Sequence, residues 1–342
     1  AHGAPPIRGR IRVAPEDFVV REWLGFDADG DGDHWLLTVR KRGANTHWVA
    51  KQLAKHAQIH VRDVGFAGLK DRNAVTEQAF TVPVRSAAGS DWAGFVGEGF
   101  EVIAAQRHRR KLKRGALRGN DFEIIVRDVE GDPATIAARI STVATQGVPN
   151  YFGPQRFGID GGNLLRARQW LGGEIALHDR LERSFALSAA RAAIFNTVLA
   201  RRVADGSWNQ LQPGDVANLD GSNSVFRVDS VDEVLRERCT AFDIHPTGPL
   251  WGRGSLTSQG QMEVLEQEVA DSEPALSAGL AAADLDQERR RLRVHLLQLH
   301  ATGESGHLHL KFRLPRGAFA TAVLHELIEG VFEQGTAEAE EE

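Results

Sequence analysis

The chain of 342 residues is long enough for two domains, since single hydrophobic cores rarely grow past about 250–300 residues. Its 42% hydrophobic and 25% charged residues are typical of a globular protein, and no apolar run approaches the roughly 20 residues that span a bilayer. The net charge of −5 argues mildly against nucleic-acid binding, and the single cysteine, Cys239, excludes an intrachain disulfide and a cysteine-rich zinc site.

The charges are unevenly distributed along the chain. Residues 107–118 (RHRRKLKRGALR) carry seven lysines or arginines and no acid, whereas the last five residues carry four glutamates. Such a basic stretch suits a phosphate-lined partner because binding releases counterions from nucleic acid, although a solvated charged loop has the same composition. The first six residues lack the apolar core of a secretory signal, so a cytoplasmic location is expected.

The first part of the chain predicts strands and one helix. The acidic run Asp27–Asp33 resembles the start of a calcium-binding loop, but it lacks the glutamate required at the twelfth position. Its flanks, Phe18–Trp23 and Trp35–Val39, have strand-like patterns, so the run is predicted to be a turn between two strands. Asn45 or Thr46 is predicted to cap the helix that follows.

The middle of the chain predicts turns and helices. Residues 147–162 (GVPNYFGPQRFGIDGG) combine five glycines with two prolines and three aromatic residues, which suits a domain boundary or a loop packed at an interface. Ser188 is predicted to cap a helix that turns Phe195 inward. Pro274 is predicted to divide the helical stretch 261–291 into two helices.

The last block predicts a strand and a helix. Strict alternation over residues 307–314 indicates a half-exposed strand. Its inward side chains are Leu308, Leu310, Phe312 and Leu314. Thr321 is then predicted to begin a helix with Val323, Leu327 and Val331 on its apolar face.

Residues 66–80 join two apolar runs through a turn that contains three consecutive charged residues, Lys70, Asp71 and Arg72. Nearby cations favour the charged form of a carboxylate. An ionised carboxylate on a rigid turn can serve as a nucleophile, a general base or the partner of a cation. A surface ion-pair cluster has the same spacing, so the residues alone leave both interpretations open.

Residues 67–78 (AGLKDRNAVTEQ) resemble the active-site segment of the TruD family of tRNA pseudouridine synthases. Four further segments resemble segments of that family and follow in the same order. They are PEDFVV (15–20), GNDF (119–122), PNYFGPQRFG (149–158) and LPRGAFAT (314–321). Together the five segments span nearly the whole chain.

The resemblance implies an α+β fold, in which a pseudouridine synthase catalytic domain with a central mixed β-sheet carries an inserted α/β domain of TRUD type. Residues 1–146 and 292–342 would form the catalytic domain, and residues 147–291 would form the insertion. It also implies tRNA as the partner and a reaction that requires no metal and no cofactor. No membrane partner is expected, because no apolar run is long enough to span a bilayer. We expect the chain to be a monomer.

The resemblance assigns the catalytic nucleophile to Asp71. It assigns substrate binding to three residues: Phe18, Asn120 and Phe319. Phe122 is a further candidate for stacking on the base, although a place in the hydrophobic core is equally compatible with its alternating pattern. Arg21 is a plausible cationic partner for Asp71, since Lys70 and Arg72 are merely adjacent in sequence.

The RNA backbone is expected to contact the basic stretch. Its seven cations are Arg107, Arg109, Arg110, Lys111, Lys113, Arg114 and Arg118. Two other functions remain open: an RNA-binding or RNA-folding protein that keeps the scaffold without turnover, and a glycosidase that releases free uracil. Whether pseudouridine formation starts at C1′, at C6 or with loss of the 2′ proton also remains open.

Overall fold

The computed structural model describes residues 1–84 and 91–329. Within it the chain divides into two compact units. Of the described residues, unit 1 comprises 1–6, 133–295 and 318–329, and unit 2 comprises 7–84, 91–132 and 296–317.

The elements of the described residues are numbered in chain order. The strands are β1 (Arg8–Arg10), β2 (Phe18–Trp23), β3 (His34–Arg42), β4 (Gly65–Phe66), β5 (Val75–Pro83), β6 (Val96–Gly97), β7 (Phe100–His108), β8 (Gly119–Glu130), β9 (Val148–Pro149), β10 (Val216–Leu219), β11 (Val225–Arg227), β12 (Ile244–Leu250), β13 (Glu288–Arg291), β14 (Arg293–Val294), β15 (Leu297–Glu304) and β16 (His307–Pro315). The helices are α1 (Thr46–His56), α2 (Pro133–Gln146), α3 (Gly162–Leu171), α4 (Arg180–Ala204), α5 (Glu233–Thr240), α6 (Gly260–Asp271), α7 (Pro274–Ala282) and α8 (Ala320–Leu327).

Unit 2 is built on one mixed sheet. Its strand order is β15-β16-β8-β2-β5-β3-β7-β6, with β1 added to β8 and β4 added to β5. The strands β2 and β5 run parallel, whereas the other neighbouring pairs run antiparallel. The prediction of a central mixed sheet is therefore confirmed.

Helix α1 covers part of this sheet because its apolar face is periodic. Val49 and Leu53 are fully buried in a cluster with Leu37 and Phe80 of the strands. The helix begins after Asn45, whose Oδ1 accepts a hydrogen bond from the backbone nitrogen of Trp48 at 2.7 Å. This cap confirms the predicted helix start.

The predicted strands of unit 2 are also confirmed. The acidic run joins β2 to β3 as a turn between strands. The inward side chains of β16 are all at most 5% exposed, as their alternation predicts: Leu308, Leu310, Phe312 and Leu314.

Unit 1 contains a four-stranded antiparallel sheet, in the order β11-β10-β12-β13, and most of the helices. Pro274 begins α7 and separates it from α6, as predicted, but the predicted helical stretch to residue 291 is too long, since α7 ends at Ala282 and Glu288–Arg291 form β13. The predicted cap at Ser188 is wrong. Helix α4 already begins after Asp179, whose carboxylate accepts hydrogen bonds from the backbone nitrogens of Leu181 and Glu182 at 2.9 Å, so Ser188 lies within the helix. Its buried face includes Phe195, as predicted.

Other residues of unit 1 bear on the sequence predictions. Cys239 is buried, and burial raises the pKa of its thiol. Helix α8 begins at Ala320 after Phe319, one residue before the predicted start. The predicted face residue Val331 and the acidic residues 338–342 lie outside the described residues.

The compact units have different limits from the predicted domains. Helices α2 and α8 belong to unit 1, whereas the predicted catalytic domain of residues 1–146 and 292–342 includes both. The functional division of the chain therefore stays a prediction. Among the described residues, no helix combines the length and the apolar character that crossing a bilayer requires.

Candidate active site

A buried lysine side chain holds the backbone of the turn that carries Asp71. The ammonium of Lys41 donates to the backbone carbonyls of Ala44, Lys70 and Asp71 at 2.8, 3.1 and 3.0 Å. Lys41 itself is only 1% exposed. An ammonium group has three hydrogens, and three acceptors converge on it, so the backbone position of Asp71 is strongly restrained.

Side-chain hydrogen bonds from α1 and β5 hold the residues that precede Asp71. The hydroxyl of Thr46 accepts from the backbone nitrogen of Lys70 at 3.1 Å and donates to Oε1 of Gln78 at 2.9 Å. The amide of Gln78 in turn donates to the carbonyl of Gly68 at 2.6 Å. Because Thr46 and Gln78 are fully buried, these bonds fix the turn on a rigid framework.

The two cations adjacent to Asp71 in sequence have other partners. The ammonium of Lys70 contacts Oε1 of Glu22 at 2.6 Å, and both side chains are less than 10% exposed. Nε of Arg72 donates to the carbonyl of Gly43 at 3.0 Å. Asp71 therefore takes its cation from elsewhere in the chain.

That cation is Arg12, which sequence reasoning missed. Its guanidinium lies 2.9 Å from Oδ2 of Asp71 and 4.3 Å from the centre of the Phe18 ring. Oδ1 of Asp71 accepts a hydrogen bond from the backbone nitrogen of Asn73 at 2.9 Å, so both carboxylate oxygens are engaged. The carboxylate is nevertheless 32% exposed, and a ligand can reach it.

The suggested pairing of Arg21 with Asp71 is wrong. Side chains alternate between the two faces of a strand, so Arg21 lies on the opposite face of β2 from Phe18. There its guanidinium contacts Glu123 at 3.1 Å and Glu77 at 3.5 Å. Hydrogen bonds from Lys311 and then Arg21 hold the pKa of Glu123 below its usual value.

The segment that carries Arg12 is anchored by Asp17. The Asp17 carboxylate is fully buried, and Arg127 donates three hydrogen bonds to it at 2.7 to 3.0 Å. It also accepts from the backbone nitrogen of Ala14 at 2.9 Å, which closes the turn between Arg12 and β2. The hydrogen bonds from Arg127 hold the pKa of Asp17 below its usual value of 3.8.

Replacing Asp17 by asparagine is expected to lower the free energy of unfolding by about 2 kcal/mol at neutral pH, since the charge-assisted hydrogen bonds are lost. A carboxyl group with a depressed folded-state pKa stabilises the fold above its unfolded-state pKa and loses that effect as the pH falls through the folded value. The difference in unfolding free energy between wild type and variant should therefore become smaller below about pH 4. Urea unfolding from pH 7 to pH 3 measures it. The exposed Asp31, paired with Arg109, provides the matched Asp31→Asn control. A difference that does not change with pH would contradict the prediction.

One face of β2 and β8 brings three of the predicted site residues together. The Phe18 and Phe122 rings meet edge to face with centroids 6.2 Å apart. Asn120 lies two residues before Phe122 and directly opposite Glu22 in the neighbouring strand. Since Arg12 contacts Phe18 and the Lys70 side chain contacts Glu22, this face adjoins the turn that carries Asp71.

The Phe122 ring packs against another ring of the protein, whereas the side-chain oxygen of Asn120 has no hydrogen-bond partner among the described residues. The Phe122 ring stacks on Phe312 at a centroid distance of 5.4 Å and is 9% exposed, so its contacts favour a supporting place in the core. Oδ1 of Asn120 is buried and has no hydrogen-bond partner among the described residues. Buried polar atoms are rarely left unpaired, so this oxygen can accept a hydrogen bond from a ligand.

Phe319 belongs to unit 1, where it immediately precedes α8. Its half-exposed ring contacts that of Phe152, with centroids 6.1 Å apart. The proposed contact of Phe319 with substrate stays a prediction.

The basic stretch lies at the end of β7 and in the loop to β8, and part of its charge is used within the protein. Arg109 forms two hydrogen bonds with the carboxylate of Asp31, at 2.8 and 3.0 Å, and Lys111 donates to the carbonyl of Arg62. Arg107 donates to the carbonyl of Gly32, and the Arg114 guanidinium lies over a phenylalanine ring. The remaining cations are all exposed: Arg110, Lys113 and Arg118. The predicted contact of the stretch with RNA stays a prediction.

Across residues 1–84 and 91–329, no group of three or more histidine, cysteine, aspartate or glutamate side chains is arranged to hold a metal ion.

Comparison with known proteins assigns the chain to a family. The family model described as tRNA pseudouridine synthase D (TruD) matches residues 1–164 and 162–327. The chain is 47% identical to tRNA pseudouridine synthase D of Xanthomonas campestris pv. campestris (strain 8004), covering 97% of this chain and 94% of that protein. It is 46% identical to the protein of the same name from Methylococcus capsulatus, covering 96% and 93%.

A solved structure agrees with this assignment at the level of the fold. The structure described as tRNA pseudouridine synthase D (TruD) from Methanosarcina mazei has a TM-score of 0.77 and 22% identity, covering 97% of this chain and 96% of that one. The match of the family model and of close relatives over nearly the full length decides the family. The chain belongs to the TruD family of tRNA pseudouridine synthases.

Proposed function

We propose that the chain isomerises uridine 13 of tRNA to pseudouridine and that Asp71 is the catalytic nucleophile. The observation that carries the assignment to Asp71 is its ion pair with Arg12 beside the Phe18 ring. In this proposal the catalytic domain comprises residues 1–146 and 292–342, and residues 147–291 form the insertion. The chain acts as a monomer in the cytoplasm.

The reaction breaks the N1–C1′ bond, turns the uracil and joins its C5 to C1′, so substrate and product are isomers. It needs an ionised carboxylate near the sugar, which either attacks a carbon or removes a proton. The guanidinium of Arg12 places a positive charge 2.9 Å from Oδ2 of Asp71. Hydrogen bonds to the backbone of the turn hold this carboxylate in place before substrate arrives, which lowers the cost of reaching the reactive geometry.

Two buried atoms of unit 2 can bind the base. Oδ1 of Asn120 and Nε of Arg12 have no hydrogen-bond partner among the described residues. Uracil presents an N3–H donor and two carbonyl acceptors, which match an amide oxygen and a guanidinium hydrogen. Reading a base by its edge requires that it leave its stack, and the aromatic residue Phe18 offers an apolar wall for it.

The assay that tests the proposal uses an unmodified tRNA transcript and a second transcript with cytidine in place of uridine 13. Mapping of pseudouridine should give one modified position in the first transcript and none in the second. Release of free uracil would instead indicate a glycosidase. Tight binding of tRNA without any product would indicate an RNA-binding protein that has kept the scaffold.

A further inference from the structure

The glycine-rich segment 147–162 contributes two residues to a cluster of aromatic and arginine side chains in unit 1. The guanidinium carbons of Arg290 and Arg156 lie 4.0 and 5.2 Å from the centre of the Phe152 ring. The Phe319 ring contacts the same phenylalanine at 6.1 Å. These four residues, Phe152, Arg156, Arg290 and Phe319, are here called the Phe152 cluster.

The backbone around the Phe152 cluster is firmly held. Asn196 of α4 donates to the carbonyl of Phe152 at 3.0 Å and accepts from its nitrogen at 2.9 Å. A Cβ atom added at Gly153 would lie 2.9 Å from Oγ1 of Thr321, so the segment approaches the start of α8 closely. The backbone nitrogen of Arg156 bonds to the carbonyl of Gly153 at 3.0 Å and completes a tight turn. The cluster is therefore a preformed part of unit 1.

The Phe152 cluster contains two guanidinium groups, those of Arg156 and Arg290. Two other buried arginine side chains of unit 1 contact carboxylates: Arg202 contacts Asp215 at 2.7 Å, and Arg289 contacts Glu266 at 2.7 Å. Arg290 bonds to the side-chain oxygen of Asn150 at 2.6 Å.

Apart from its contact with the Phe152 ring, the guanidinium of Arg156 has no hydrogen-bond or ion-pair partner among residues 1–84 and 91–329, although the side chain is half-buried. Burial lowers the pKa of Arg156. Burial, together with repulsion from Arg156, lowers the pKa of Arg290 to about 9.

A half-buried guanidinium without an acid is costly, because it loses water and gains no opposite charge. An anion that bound there would remove this cost, and a guanidinium matches a phosphate with two parallel hydrogen bonds. The hydroxyl of Thr321 is a second polar group without a partner among the described residues, and it lies beside the same turn. Both groups can donate hydrogen bonds to a phosphate oxygen.

We propose that Arg156 binds a phosphodiester group of the tRNA substrate, with Arg290 contributing positive potential and Phe319 providing an aromatic surface beside it. The proposal rests on the proposed function, since it takes tRNA as the ligand. In this proposal the segment PNYFGPQRFG binds tRNA, and its role is separate from the chemistry at Asp71. Arg156 therefore contributes to the affinity for tRNA and takes no part in bond breaking.

The test compares tRNA binding by the wild-type chain and by Arg156→Gln, using filter binding with an unmodified tRNA transcript over a range of KCl concentrations. The glutamine variant should bind about tenfold more weakly at low salt, as expected for the loss of a charge-assisted contact. Its plot of log Kd against log salt should be shallower by about 0.7 to 0.9, which corresponds to one phosphate contact. Arg156→Lys should keep the wild-type slope, because it keeps the charge.

Two controls separate binding from a structural role. Arg166, an exposed arginine of unit 1 that contacts Glu182 at 3.1 Å, supplies the matched variant Arg166→Gln, which should leave slope and affinity unchanged. The melting temperature of Arg156→Gln should not fall, because the variant removes a cation without a carboxylate. An unchanged slope in Arg156→Gln would overturn the proposal. So would a lower melting temperature or a failure to fold, since either shows that the arginine serves the fold.

Pseudouridine formation is measured in parallel for the wild-type chain. No product from wild type would contradict the proposed function itself. Product from wild type together with wild-type binding by Arg156→Gln would contradict the phosphate site alone. At saturating tRNA the Arg156→Gln variant should keep kcat within about twofold while KM rises, since a contact made equally in ground and transition states changes KM.

Discussion

Replacing Asp71 by asparagine is expected to lower the rate of pseudouridine formation by at least about 10⁴-fold, the scale seen when a nucleophile is removed from an enzyme. An amide has the shape of the carboxylate but carries no charge and is a poor nucleophile. The hydrogen bond from the Asn73 nitrogen to Oδ1 can persist in the variant, whereas the ion pair with Arg12 is lost. Because the carboxylate is 32% exposed, the change in unfolding free energy should stay below about 1 kcal/mol.

The measurement combines a single-turnover assay of pseudouridine with filter binding of the same tRNA. Asp128 provides the matched control, since it is an exposed aspartate of unit 2 that pairs with Arg10 at 2.5 Å. Asp128→Asn should keep wild-type turnover. Retained turnover in Asp71→Asn would remove Asp71 from the chemistry, and loss of both binding and thermal stability would show that the variant is damaged more widely.

Much of the fold follows from local patterns that the sequence displays openly. The alternation of residues 307–314 predicts β16 because a strand turns successive side chains to opposite faces. Asn45 predicts the start of α1 because its side chain can accept a hydrogen bond from a backbone nitrogen of the first turn, which has no acceptor within the helix. The prediction that Ser188 caps α4 is wrong, because the sequence does not distinguish a serine within a helix from one that caps it. The cap is Asp179.

The site was harder to predict because its contacts join residues that are distant in sequence. Asp71 and Phe18 could be named from the family's segments, whereas the partner of Asp71 depends on how the chain folds. Nothing local distinguishes Arg12 from the other arginines of the first 21 residues. Lys41 did carry a signal: strand alternation puts it on the same buried face of β3 as Leu37 and Val39. A lysine at such a position must find buried acceptors, and it finds the carbonyls of the Asp71 turn.

Replacing Lys41 by methionine tests whether that buried ammonium positions the catalytic turn. The change keeps an unbranched side chain of similar length and leaves three carbonyl oxygens without their donor. Unfolding free energy should fall by about 2–4 kcal/mol, since each buried acceptor left unmet costs about 1–3 kcal/mol and the loss of a buried charge offsets part of this. The Asp71 backbone should also shift. A misplacement of about 1 Å can lower kcat by about 10²-fold even when the chemical groups are intact.

Urea unfolding and single-turnover kinetics at saturating tRNA measure the two effects of Lys41→Met separately. Lys51→Met, at an exposed position of α1, is the matched control and should change neither. Thr46→Val supplies a milder change, because it removes the hydroxyl that bonds to the Lys70 nitrogen and to Gln78 while keeping the side-chain volume. Thr46→Val should also lower kcat, by a smaller factor than Lys41→Met. If both variants lose stability but keep the wild-type kcat, these contacts support the fold and the turn holds Asp71 by other means.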